Sequence, residues 1–187
     1  FNSTIEKIGN ARYELWVAPK VQGSILRWRD KKLGVDLLNG YKTYGRGPGT
    51  WQDWIVGGQP EKAAADAYEI VNKTPNALTL RATLPSGVVV ERTMTLKPDS
   101  DTLDVSLTCA NPTDAAQPAG VKLHPEFSTF GADVVEVWTS DGKAWTRFNG
   151  DVEEEIPAWG RILPAAPQQA AFYLPKKKLG ILATFSS

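Results

Sequence analysis

The chain has 187 residues, 42% of them hydrophobic and 22% charged, a balance that fits one folded domain (1–187) able to bury a substantial core. Its 21 Lys and Arg equal its 21 Asp and Glu, so no net field favours nucleic acid or an anionic membrane surface, and neither is expected as a partner. One cysteine and one histidine exclude an internal disulfide and leave too few ligands for a zinc or iron–sulfur centre, so no cofactor or metal is expected.

Period-two alternation dominates from the start, as in strands with one face buried. "ARYELWV" sets Tyr13, Leu15 and Val17 on one side; "SILRWRD", a Lys-Lys-Leu-Gly turn and "VDLLNG" follow. Residues 39–60, "NGYKTYGRGPGTWQDWIVGGQP", carry six glycines, two prolines and two tryptophans and read as a long functional or mobile loop. "PEKAAADAY" at 60–68 is the best helical signal, one short turn on a connection.

The middle of the chain is the clearest. "AYEIVNK", "ALTLRATL", "GVVVERTMTLKP" and "DTLDVSLTCAN" are separated by Thr74-Pro75-Asn76, Pro85-Ser86-Gly87 and Pro98–Asp101. Turns this short join only antiparallel neighbours, so a meander is predicted. Cys109, in the last of these strands, reads as a small buried apolar residue. Later strands are predicted at 118–124, 133–138, 143–148, 169–174 and 178–185. Between them, 149–168 joins an acidic run (Asp151, Glu153, Glu154, Glu155) to Trp159 and three prolines; the run reads as a solvated face. Pro175–Lys178, "PKKK", reads as a solvated turn. The prediction is an all-β, large antiparallel β-sandwich in one domain.

No apolar run reaches membrane-spanning length and no signal segment opens the chain, which begins at Phe1 as a processed or trimmed product would; the compartment stays open. Asn2-Ser3-Thr4 and Asn72-Lys73-Thr74 match the glycosylation triplet, as chance sequences often do.

Seven tryptophans remain to be placed. Trp16, Trp28 and Trp138 lie in alternating strands and are expected in the core. Trp51 and Trp54 flank Asp53 in the glycine-rich stretch, with Arg46 upstream. An exposed indole beside charged hydrogen-bonding groups suits a sugar, whose C–H face stacks on the ring while its hydroxyls take donors and acceptors; a packed lid is the competing reading. His124, the only histidine, ends a predicted strand. It is either a strand-end residue bonded to a backbone carbonyl or a proton or hydrogen-bond donor to a ligand.

"NPTDAAQPAGVKLHPEFS" resembles the galactose mutarotase-like (aldose 1-epimerase-like) family, in which a short Pro-containing connection leads to a strand ending in His-Pro-aromatic or a close variant. "YELWVAPKVQGSILRWRDKKLGVDLLNG" and "AFYLPKKKLGILATF" are similar to that family's opening and late hairpins. The resemblance implies a supersandwich with a sugar site on its concave sheet. His124 then matches the histidine that protonates or hydrogen-bonds the ring oxygen. Glu126 stands where an aromatic residue is common and faces the same site, and Arg46 loosely matches an arginine beside the sugar. The family's second histidine is missing, and the chain stops short of its C-terminal glutamate base, which implies a fragment whose further strands or domains belong to the same polypeptide.

Three functions follow. The first, which we adopt as the expectation, is a carbohydrate-binding mutarotase-like domain from a larger glycan-active protein, centred on His124 with Arg46, Trp51, Asp53, Trp54 and Glu126 around it. The second is an aldose 1-epimerase acting on a hexose with Glu126 or Asp53 as base. The third is a non-binding structural sandwich beside a glycoside hydrolase or lyase. A glycan-degrading parent implies a periplasmic or extracellular location, and any other parent a cytoplasmic one. Fold alone does not choose among the three.

Overall fold

The computed structural model describes residues 4–38, 51–55, 68–117, 121–128, 135–148 and 168–185, with 52–55, 121–124 and 148 described by backbone alone. Every regular element among them is a β-strand apart from one 3-10 turn, and every strand pair is antiparallel. The chain divides into two compact units, Phe1–Ser128 and Thr129–Ser187.

The first unit holds two sheets. One runs in the order β1 (Glu6–Gly9), β2 (Tyr13–Ala18), β3 (Ser24–Asp30), β5 (Trp51–Ile55) and β10 (Val121–Pro125), with β4 (Val35–Asp36) also on β3. The other is the predicted meander of β6 (Glu69–Lys73), β7 (Ala77–Thr83), β8 (Val89–Thr95) and β9 (Asp104–Ala110). Alternation decides what each sheet buries. Tyr13, Leu15 and Val17 of β2 lie inside together with Ile25 and Trp28 of β3, facing Leu78, Leu80, Val90 and Met94 of the meander. Each such aliphatic side chain, taken fully out of water, contributes about 1.5–3 kcal/mol to folding.

The two sheets lock together at the β2–β3 corner. Gly23 there has φ +61°, which favours glycine, and a Cβ would lie 3.1 Å from the Tyr68 ring and 3.3 Å from Leu80. Its carbonyl accepts a 2.9 Å hydrogen bond from Nη1 of Arg92, a buried guanidinium on the otherwise apolar parity of β8. A second tie comes from Asn10. Its Oδ1 accepts from the N–H groups of Arg12 and Tyr13, closing the β1–β2 turn, and its Nδ2 donates to the carbonyls of Lys97 and Ser100 between β8 and β9. The Asp30–Gly34 turn appears as predicted: the buried Asp30 carboxylate accepts from Leu33 N–H and Arg12 Nε, and Gly34 has φ +70°.

Expectations about the 51–55 segment and Cys109 are corrected. Trp51–Ile55 is a strand, not loop: Trp51 registers with Ile25 of β3, and the whole segment pairs with β10. Cys109 is exposed, not buried. It holds the inward parity, opposite Val90, but β9 is an edge strand whose inward residues are less covered than those of β7 and β8.

The described residues of the second unit form a sheet in the order β12 (Trp145–Phe148), β11 (Glu136–Ser140), β13 (Gln169–Leu174), β14 (Leu179–Thr184). The β13–β14 hairpin turns through Pro175–Lys177 and Lys178, whose φ of 51° is left-handed; its three lysines are exposed, as a solvated turn requires. Gly142 (φ +88°) closes the β11–β12 hairpin beside Asp141, whose Oδ1 accepts from the N–H groups of Lys143 and Ala144. Those two N–H groups hold the Asp141 carboxyl below its ordinary range.

Candidate functional site

The ladder brings part of the expected site together. His124 pairs with Gln52, Leu123 with Asp53 and Lys122 with Trp54, so β5 and β10 run side by side along most of the expected site. His124 and Asp53 nevertheless fall on opposite parities of this ladder, since alternate strand positions belong to opposite faces. Glu126 follows β10 and is half-buried. Arg46 lies outside the described residues, as do the helical turn at 60–67, the acidic run of 151–155 and Trp159.

Trp51 cannot offer a free face to a sugar. It is 8% exposed and closes a line of buried or half-buried rings: Tyr13 meets Trp28 edge-on at 5.6 Å, Trp28 meets Trp51 at 6.1 Å, and Trp51 meets Phe127 edge-on at 6.5 Å. The Arg92 guanidinium lies 5.9 Å from the Trp51 ring centre. These contacts make Trp51 a core residue, and Trp28 is one as expected.

Trp16 departs from the core expectation. It sits on the outer face of β2, with Lys7 Nζ 4.2 Å and the Arg27 guanidinium 4.7 Å from its ring, while its Nε1 donates to Glu14 at 2.6 Å. Cationic stems cover this indole, as long basic side chains do on apolar surface. Arg27 is itself held by Asp36 through two hydrogen bonds of 2.6 and 2.9 Å.

The open aromatic surface lies in the second unit. Register places Trp145 opposite Ser140, Trp138 opposite both Arg147 and Ala171, Tyr173 opposite Glu136 and Gly180, and Leu182 opposite Ala171. All of these share one face of the sheet. Trp145 is 45% exposed, Tyr173 36% and Leu182 59%. Together with Trp138, Ala171 and Gly180 they line a shallow, open, predominantly apolar groove. The opposite face carries buried Leu174 and Thr139 and half-buried Val137, Phe172 and Ile181, so it is the more enclosed of the two.

Two details shape this groove. Gly180 leaves room for the tyrosine across from it: a Cβ there would lie 3.2 Å from Cδ2 of Tyr173. Polar groups border the rings, with Trp138 Nε1 donating to Glu136 at 3.1 Å, Arg147 paired to Glu136 at 2.9 Å, and the Arg147 guanidinium 5.9 Å from the Trp138 ring centre. Flat aromatic surface beside donors and acceptors can stack a pyranose and bond its hydroxyls.

Sequence reasoning missed this surface. Trp138 was expected in the core, and neither Trp145 nor Tyr173 was given a role. The signal was present in parity: in "EVWTS", "WTR" and "QAAFYL" the large aromatics Trp138, Trp145 and Tyr173 fall on one side once the strands are paired. The buried Arg92 also went unnoticed, although it interrupts an apolar alternation.

Among the described residues no group of three or more His, Cys, Asp or Glu side chains is gathered to hold a metal. Partial burial pushes the Cys109 thiol up, away from thiolate chemistry at neutral pH. The described residues thus define an all-β protein with an exposed aromatic row on one sheet face. The chain matches no known family model and no curated protein.

Proposed function

We propose that this protein binds carbohydrate, serving as the recognition module of a glycan-active protein, and that the ligand sits on the aromatic face of the second unit. The observation that carries the reading is the open row of Trp145, Trp138 and Tyr173 on one sheet face, bordered by the Arg147–Glu136 pair. Tryptophan and tyrosine left partly in water on a flat strand surface form an apolar patch of the kind that marks a binding surface. Sugar rings suit it because a pyranose can present a face of C–H groups while its hydroxyls project around the rim.

The test is a tryptophan-fluorescence titration of the whole chain against monosaccharides and short glycans. A saturable change that is lost in Trp145→Ala, with an unchanged unfolding transition, supports the reading. A flat response to every sugar at high concentration removes it. A second reading, a structural sandwich that packs against a neighbouring domain, draws on the exposure of Leu182 (59%) and Phe185 (39%), since aliphatic and phenyl surface gains more from a protein partner than from a sugar. Under that reading Leu182→Ser raises solubility and Trp145→Ala changes no ligand response.

A further inference from the structure

We infer that the chain pairs with a second copy of itself, edge to edge through β14, in an antiparallel two-fold joint centred on Leu182. Pairing of this kind does not depend on the carbohydrate reading. Sheet edges attract further strands unless charge, proline or an irregularity blunts them. Among the described residues Lys7 of β1, Glu69 of β6, Asp104 of β9 and Arg147 of β12 put a charge on four edge strands, and β10 ends on Pro125. β14, which ends the second unit's sheet, has no such device. From Leu179 to Phe185 it reads "LGILATF", without charge, proline or register shift, and Leu182 and Phe185 are 59% and 39% exposed.

The phase of the hydrogen bonds determines what that edge offers. Phe185 N–H donates to the Gln168 carbonyl at 2.8 Å, in line with the register that pairs Ala183 with Ala170 and Ile181 with Phe172. Antiparallel ladders alternate, so Leu179, Ile181, Ala183 and Phe185 turn their backbone groups toward β13, while Gly180, Leu182 and Thr184 turn theirs to the open edge. All three of these outward residues are exposed. A second β14 laid antiparallel, with Leu182 opposite Leu182, engages every one of them. Gly180 then faces Thr184 on either side of the centre, and the joint holds about six backbone hydrogen bonds.

Side chains fit the same register. On the aromatic face the two Leu182 side chains meet and carry the Trp138–Ala171–Leu182 row into its copy. On the other face Ile181 meets Ala183 and Leu179 meets Phe185, apolar against apolar. The antiparallel joint also holds the two Lys177–Lys178 turns at opposite ends, whereas a parallel one would set like charges side by side. Because the same strand serves both partners, the joint closes at two copies, and Arg147 on β12 discourages growth from the far edge.

The test is sedimentation equilibrium of the full chain from about 1 µM to about 500 µM, a range that brackets micromolar association. The mass is expected to rise to twice that of the chain and no further. Leu182→Lys sets two ammonium groups against each other at the centre and should raise the dissociation constant about a hundredfold, with circular dichroism unchanged. Should that variant fail to fold, a cross-link decides. In a Cys109→Ser background, Leu182→Cys places two thiols on Cα atoms about 5.5 Å apart, within disulfide reach, so mild oxidation should give a covalent dimer faster than it does for Lys177→Cys in the same background. A monomer throughout the concentration range overturns the inference. So does a dimer that a folded Leu182→Lys variant leaves intact, a mass that climbs past two copies, or a Leu182→Cys variant that cross-links no faster than the control.

Discussion

Two rows of aromatic rings run across strands in this protein, and they have opposite fates. In the first unit Tyr13, Trp28, Trp51 and Phe127 meet ring to ring at 5.6–6.5 Å beneath the meander. In the second, Trp145, Trp138 and Tyr173 lie on a face where Trp145 keeps 45% of its surface in water. Both rows arise from the same device, aromatic residues held at one parity on neighbouring strands. What separates them is the layer above. The first unit brings its second sheet over the row, with Arg92 and the Gly23 corner sealing it, whereas among the described residues of the second unit Trp145 and Tyr173 stay exposed. An aromatic residue in an alternating strand is therefore core or exposed surface according to what covers it, and its own strand does not say which.

The largest expected effect lies at Trp51. Replacing it with alanine should destabilise the first unit by about 3–5 kcal/mol, read as a lower urea midpoint at unchanged slope. A loss under 1 kcal/mol would break the comparison by showing that the buried row is not packed as core. Next comes Gly23→Ala. The left-handed φ and the 3.1 Å approach to Tyr68 together should reduce stability by about 1–3 kcal/mol, measured in the same way. Trp145→Ala should do the reverse of Trp51→Ala: stability stays within about 0.5 kcal/mol of wild type, while affinity for a bound glycan falls about tenfold, or 1.4 kcal/mol. Calorimetry on both variants gives the four numbers that the comparison needs.

The strand framework was legible because alternation and turn chemistry are local. Pro85-Ser86-Gly87 with Gly87 at φ +87°, and the Asp30–Gly34 turn, declare themselves from a few residues. Other features depend on distant segments. Trp51–Ile55 looks like loop because glycines surround it, and only pairing with Ile25 and with β10 makes it a strand. Cys109 alternates like a buried residue but stands on an edge. The expected site grouped His124 with the 51–54 segment, and the ladder does set β5 beside β10, whereas the burial of Trp51 was not readable. The diagonal of Trp145, Trp138 and Tyr173 needs the order β12-β11-β13, which no short-range pattern encodes.

Trp16 sharpens the comparison from a third side and carries the smallest predicted effect. It faces outward like Trp145, yet Lys7 and Arg27 lie over its ring, and Arg27 stays there because Asp36 grips it in a two-point hydrogen bond. That bond is the chief cause holding the Asp36 carboxyl below its ordinary value, with the charges of Arg27 and Arg29 adding to it and burial opposing it. A depressed carboxyl pKa contributes stability that is fully present above the unfolded value of about 3.9 and is lost as pH falls through the folded value beneath it. Asp36 is partly exposed, so water screens the contribution and the change is small. Urea midpoints taken from pH 5 down to pH 2.5 should therefore fall slightly more for wild type than for Asp36→Asn, and the Trp16 emission should shift over the same window as Arg27 is released. A Trp16 signal indifferent to that titration would mean that the indole is covered without help from the ion pair. The contrast with Trp145 would then come from Lys7 and the strand geometry alone.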